Sequence, residues 1–484
     1  MRGFLASSIG VTCAAALALP LTLPAATASA RPAPAAEQAA DASAAVPGQT
    51  QSLPLVPLAV DRALGSTAVQ GLTRRDVRHF SLVGVVWDDP DAELHGRVQV
   101  RTRGSTTGKW SGWQDIETHN HEHAADPDTA ERAAGRVRGA TAPLWVGDSD
   151  GVEVRVRAVA ESRVEETGRG ARTATAEAVL PSGLRLELVD PGRAEDAPAA
   201  SGARPALGAR PASGSVPGTG AAPAGAVSVD SPRTGSLGAG TVAASAANSA
   251  LAPLGAMELP ALGRAATVRE LALLREGRAQ AQPKIGPRPR IVTRRGWGAD
   301  ESLRERKFVY TKSVKAAFVH HTASGNKYLC SQVPSVVRSI YRYHVKSMGW
   351  RDIGYNFLVD KCGNIYEGRA GGVAKAVLGA HTLGFNTNST GIAVLGTFNT
   401  SKPSVSAVTA IAKLTAWKLG IYGMDPRAKT SLKSGGGNLY KKGKNVRLNV
   451  ISGHRDGFAT QCPGGLLYGR LGTARTDAAR LQGR

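Results

Sequence analysis

KAAFVHHTA (315–323) is a short apolar run that closes on two consecutive histidines, His320 and His321. Such a run, without polar alternation, reads as a buried strand. Working outward, SQVPSVVRSIYRYHVKSMGW (331–350) sets Val333, Val336, Val337, Ile340, Tyr341 and His344 on one helical face. GYNFLVD and NIYEGR read as two strands joined by the turn KCGN, and TGIAVLGTF as another strand. SVSAVTAIAKLTAWKLGI (404–421) is a second helix with Val408, Ile411 and Ala412 on one side. LLYGRLGTARTDAARLQ (466–482) supplies a third helical segment after NVISGHRD. This mixed order predicts an α/β domain over 286–484, a mixed central β-sheet flanked by helices.

Upstream, the composition changes several times. Residues 191–285 are dominated by Ala, Gly, Pro and Ser and read as a linker, with TVRELALLREG as a short helix inside it. Over 76–190, HFSLVGVVW, GRVQVRTR, VEVRVRAVA and GLRLELVD alternate apolar and polar residues between Gly- and Asp-rich turns. That pattern predicts an all-β sandwich or jelly roll. Trp87, Trp110, Trp113 and Trp145 fall within it, as core or as a sugar-stacking surface. Residues 31–75 read as a flexible leader. Residues 1–30, with Arg2, an apolar run and an ASA ending, read as a secretory signal peptide, a retained signal anchor being the alternative.

Export predicts a secreted, extracellular or wall-associated chain. No other stretch is apolar for the length of a membrane span. A net charge of +22 draws the chain to polyanions, which outside a cell are anionic wall polymers and membrane surfaces. Export and the lack of a nucleic-acid-binding motif argue against nucleic acid. Of four cysteines, Cys13 leaves with the signal peptide, so Cys330, Cys362 and Cys462 remain and one needs a partner other than cysteine.

In the α/β domain, His320 and His321 end one strand. His454 ends another within ISGHRDGFATQCPGG (451–465), and Cys462 lies in the loop that follows. Two imidazoles and a thiolate suit zinc, and three protein donors leave a fourth tetrahedral position for water or a substrate oxygen. Spacing alone leaves open a core histidine beside a free thiol. In the β region, THNHEHAADPD (118–128) alternates His119, His121 and His123. A solvated polar loop between strands is the expectation there, with metal binding as the alternative.

Five stretches sharpen this reading: RRGWGA (294–299), FVHHTA (318–323), YHVKSMGWRDIGYNFLVDKCGNIYEGR (343–369), GAHTLGFNTNSTGIAVLGTF (379–398) and GHRDGFATQCPGG (453–465). In this order they resemble the peptidoglycan recognition proteins of the zinc N-acetylmuramoyl-L-alanine amidase type. The resemblance implies one zinc ion per chain, held by His320, His454 and Cys462, with His321 as a neighbour. It implies Tyr355 and Thr460 as catalytic residues, since both match positions of active members. It further implies Gly349, Trp350 and Arg369 as contacts to diaminopimelate-type stem peptides, and His381 and Asn386 as groove positions or local structural contacts. Arg suits the extra carboxylate of diaminopimelate because its fork binds carboxylates bidentately. Peptidoglycan and its muropeptides would be the partners. Cys330 at the start of the first helix and Cys362 in the strand turn are expected to form a disulfide in an oxidising compartment, with two free thiols as the alternative. The function expected is hydrolysis of the amide joining N-acetylmuramic acid to L-Ala. A non-catalytic wall-binding protein and cleavage of another wall amide are the alternatives.

Overall fold

The computed structural model describes residues 47–58, 69–118, 120–159, 162–167, 170–175, 179–193, 237–275 and 283–484. The signal-peptide reading at 1–30 and much of the linker reading lie outside these residues.

Among the described residues, the N-terminal part is all-β. Its largest sheet runs, in spatial order, Gln49–Pro54, Arg185–Asp190, Val69–Trp87, Leu144–Ala158, Gly96–Gly104 and Gln114–Ile116, with every pairing antiparallel. The alternating residues Val98, Val100, Val152, Val154, Val156, Leu186 and Leu188 are buried together, as the period of two requires. The sheet also takes in Gln49–Pro54 and the start of Val69–Trp87, which corrects the flexible leader expected over 31–75. Leu53 packs against this core from a strand, QTQSLP, that holds no other aliphatic side chain of its size, which makes the signal weak.

The strand Val69–Trp87 is covered on both faces. Val83, Val85 and Trp87 enter the β core, whereas Leu82 and Val86 pack with Trp145 and Val189 against Val336, Val337 and Ile340 of the C-terminal domain. Gly84 permits this contact, because a Cβ there would lie 2.5 Å from Cζ of Tyr343. The Tyr343 hydroxyl donates to the carbonyl of Thr141 at 3.1 Å, and Ser347 Oγ donates to Glu187 Oε2 at 2.8 Å.

The C-terminal domain is built on a seven-stranded mixed sheet. Its order is Glu258–Leu259, Ile291–Val292, Ile365–Glu367, Phe357–Val359, Ser389–Val394, Ala316–His321 and Ile451–Gly453. Ala316–His321 lies between two parallel neighbours and is buried throughout, which accounts for its unbroken apolar run. Val333–Arg342, extended by Tyr343–Ser347, covers one face. Val405–Ile421 and Leu471–Gln482 cover the other with Ile411, Leu414, Trp417, Leu471 and Ala478. Ser404 caps the long helix by accepting from the Ala407 amide at 3.1 Å. The linker reading also gives way in part. Arg264–Leu274 is the short helix expected from TVRELALLREG, but Ala239–Ala246 forms a second helix, Glu258–Leu259 joins the sheet edge, and Leu259 and Leu271 are buried in the core. Cys330 and Cys362 form a disulfide 32 residues apart in sequence.

Candidate metal centre and groove

The site grows out of strand register. Val319 pairs with Gly453, so the next residues, His320 and His454, leave the sheet side by side with ring centroids 4.6 Å apart. His321 points to the opposite face and accepts the Phe398 amide at 3.3 Å. After the short turn His454–Asp456 the chain loops back. This brings Cys462 Sγ to 3.8 Å from His320 Nδ1. Thr382 Oγ1 stands 3.4 Å from His320 Nε2 and steadies the ring.

A fourth donor comes from the β domain. His123 Nε2 lies 3.2 Å from His454 Nδ1, and ligand atoms of His123, His320, His454 and Cys462 all fall within 4.8 Å of one another. The expectation of a solvated loop therefore fails for His123, which is 5% exposed. His121 packs edge-on against Phe458, and His119 lies outside the described residues. A one-residue alternation in a polar stretch carries no sign of which histidine a distant domain will bury.

The donor set fits zinc. Bonds of roughly 2.0–2.1 Å to nitrogen and 2.3 Å to sulfur require tetrahedral N···N edges of about 3.3 Å and N···S edges of about 3.6 Å. The His123–His454 nitrogens stand 3.2 Å apart and the His320 nitrogen and Cys462 sulfur 3.8 Å apart, with all four donors within 4.8 Å of one another. Burial pushes the imidazoles of His123, His320 and His454 well below the ordinary histidine range, so each stays neutral with a lone pair to donate. Burial also pushes the Cys462 thiol up, and a thiolate there calls for a neighbouring cation.

Tyr355 is buried beside the cluster, 5.5 Å from His320 and 6.0 Å from His123 between ring centroids. Burial holds its phenol well above the usual range, keeping it a hydrogen-bond donor. Thr460 Oγ1 donates to Glu122 Oε1 at 2.6 Å and accepts the Cys462 amide at 3.1 Å.

The other expected residues divide. Arg369, Asn386 and Gly349 lie along a track covered by the β domain. Arg369 donates through Nη1 and Nη2 to the two oxygens of Glu131, both at 2.8 Å. Asn386 Nδ2 donates to Asp126 Oδ1 and to the Ala124 carbonyl, each at 2.8 Å. The Gly349 carbonyl accepts from Arg136 Nε at 3.0 Å. Trp350 is buried against His344, with ring centroids 4.5 Å apart. His381 is buried beneath His320, with ring centroids 5.2 Å apart, and its amide donates to Asn386 Oδ1 at 2.7 Å. His123 stands out in the sequence only as one of three alternating histidines, for which metal binding is the lesser reading, and Glu122, Asp126 and Glu131 do not stand out, because nothing local marks them as partners of a domain some 200 residues away.

Two family models match, one to each part of the chain. Residues 32–178 match a family model described as Rv3811 N-terminal galactose-binding domain-like, and residues 310–465 match N-acetylmuramoyl-L-alanine amidase. Peptidoglycan-recognition protein SC2 of Drosophila simulans is 31% identical over 186 residues, covering 38% of this chain and 85% of that protein. Peptidoglycan recognition protein 3 of Homo sapiens is 33% identical over 150 residues, covering 30% of this chain and 42% of that protein. Among solved structures, wild-type Drosophila PGRP-LB aligns at 25% identity over 38% of this chain and 92% of that chain, with a TM-score of 0.30. The chain belongs to the peptidoglycan recognition protein and amidase family, with a galactose-binding-like β domain ahead of the amidase-type domain.

Proposed function

We propose that the protein is a secreted zinc-dependent N-acetylmuramoyl-L-alanine amidase acting on peptidoglycan with diaminopimelate-type stems. The observation that carries this reading is the convergence of His320, His454 and Cys462 beside Tyr355 and Thr460. These three donors would hold zinc, which when bound supplies Lewis acidity toward an amide carbonyl and lowers the pKa of water. In the reaction water adds across the lactyl amide. The carbon–nitrogen bond breaks, leaving a carboxylate on the muramic acid and an amine on L-Ala. Tyr355 keeps its proton and donates a hydrogen bond to the oxygen on which charge develops, worth roughly 3 kcal/mol in comparable sites. Thr460 offers a second donor once its hydroxyl is free of Glu122. Arg369 receives a stem carboxylate in the bidentate manner in which it now holds Glu131.

The test is mass spectrometry of products from a defined diaminopimelate muropeptide. It uses the full chain and a full-chain variant, E122A/H123A/E131A, that uncovers the groove. Free stem peptide released by either protein, and lost on Cys462→Ala or zinc removal, supports the reading. Full hydrolysis by metal-free protein, or none by either zinc-loaded protein, overturns it.

A further inference from the structure

The segment from Asn120 to Arg138 does more than join two strands of the β domain. With two consecutive residues it delivers Glu122 to Thr460 and His123 to the donor cluster. It continues along the groove with Asp126 on the Gly384 amide and Asn386, Glu131 on Arg369, and Arg136 on Gly349. The Leu383 amide donates to the Glu122 carbonyl, and the Arg138 amide to the Met348 carbonyl, so backbone contacts frame both ends.

Most of these contacts fall on residues expected to serve metal, catalysis or substrate, namely the donor cluster, Thr460, Asn386, Arg369 and Gly349. A fourth protein donor closes the position that three donors leave open, which converts a catalytic arrangement into a sealed one. The cavity beside the cluster, lined by Glu122, His123, Thr460 and Cys462, has a volume of about 10 Å³. That is about the space of a single water molecule, and no acyl group fits it. Glu131 presents a carboxylate to the guanidinium fork of Arg369, with both groups buried. A carboxylate so placed imitates an acidic stem peptide. The contacts between Leu82, Val86 and Val336, and between Ser347 and Glu187, fix the β domain on the fold, so the segment is held by a docked domain.

We propose that this segment is an intramolecular latch: His123 occupies the metal's fourth position while Glu122 and Glu131 stand in for substrate on Thr460 and Arg369, so the full chain is latent until the β domain is displaced. This rests on the amidase reading for its consequence, and on geometry alone for the occlusion. Apparent substrate affinity falls in proportion to the open fraction.

The experiment uses three full-length proteins: wild type, H123A and E131Q, the last keeping the size of the side chain it replaces. Binding of a diaminopimelate muropeptide to the metal-free proteins is measured by calorimetry. The cobalt-loaded proteins are titrated with acetohydroxamate and followed by visible absorption. The latch predicts muropeptide binding at least about tenfold tighter in E131Q than in wild type. It also predicts that acetohydroxamate perturbs the cobalt spectrum of H123A and not that of wild type. Equal muropeptide affinity in wild type and E131Q overturns the latch, as does a wild-type cobalt spectrum that responds like that of H123A. If H123A fails to fold, E131Q decides. Tighter binding and an opened cobalt site, without hydrolysis in any zinc-loaded protein, keep the latch and remove the amidase reading.

Discussion

Gly84→Ala tests by its sign whether the β sheet is packed on the C-terminal helix. On an uncrowded strand the change stabilises by roughly 0.5–1 kcal/mol, because glycine loses more backbone freedom on folding. Here the new methyl would sit 2.5 Å from Cζ and 2.7 Å from Cε2 of Tyr343. Tyr343 is buried and cannot swing aside without giving up the bond its hydroxyl donates to the Thr141 carbonyl. Overpacking costs roughly 1–3 kcal/mol, and the lost hydroxyl bond about 1 more. After the backbone gain, the net expectation is destabilisation of about 1–3 kcal/mol. Urea unfolding followed by tryptophan fluorescence gives the shift in midpoint at constant slope. The same change in a Tyr343→Ala background should become neutral or stabilising, since the crowding ring is gone. A stabilising Gly84→Ala in the wild-type background, or an equal cost in both backgrounds, would refute the docking.

Three further outcomes are expected. Tyr355→Phe in a protein with the groove uncovered should lower kcat by roughly 10²–10³-fold with muropeptide affinity unchanged, as stopped turnover and calorimetry would show. Burial raises the Glu367 carboxyl from 4.5 to about 7, against the donors Asn248 and the Arg294 amide. The folded state therefore holds this proton more tightly than the unfolded state. Stability is fully present below pH 4.5 and falls as pH rises through 7, by up to about 3 kcal/mol, and Glu367→Gln should flatten that slope in a pH series of urea melts. Replacing Cys330 and Cys362 by serine should cost about 4 kcal/mol, because the bridge closes a loop of some 30 residues in the unfolded chain, and chemical unfolding would read it.

Much of the C-terminal domain was legible because its signals are local. The unbroken apolar run before His320 marks a central strand, and the 3.6-residue spacing of Val333, Val337 and Ile340 marks the helix over it. The donors His320, His454 and Cys462 stood out through strand ends and an odd cysteine, and register then brought them together. The β strands were legible from alternation, but the second covered face was not. SLVGVVW carries apolar residues on both faces, and only the partner helix explains Leu82 and Val86. Long-range pairs left no mark at all. Arg369 stands out through the resemblance, but its partner Glu131, 238 positions away, has no local feature that marks the pair.

Glu131 and Arg369 are joined by a single chain and buried from solvent. Their encounter is intramolecular, so its effective concentration is set by the fold and not by how much protein is present. Dilution into the medium would leave the pair closed. Salt would loosen it little, because screening acts mainly on charges that face water. The state of the groove would then report where the β domain sits, independent of protein abundance and ionic strength.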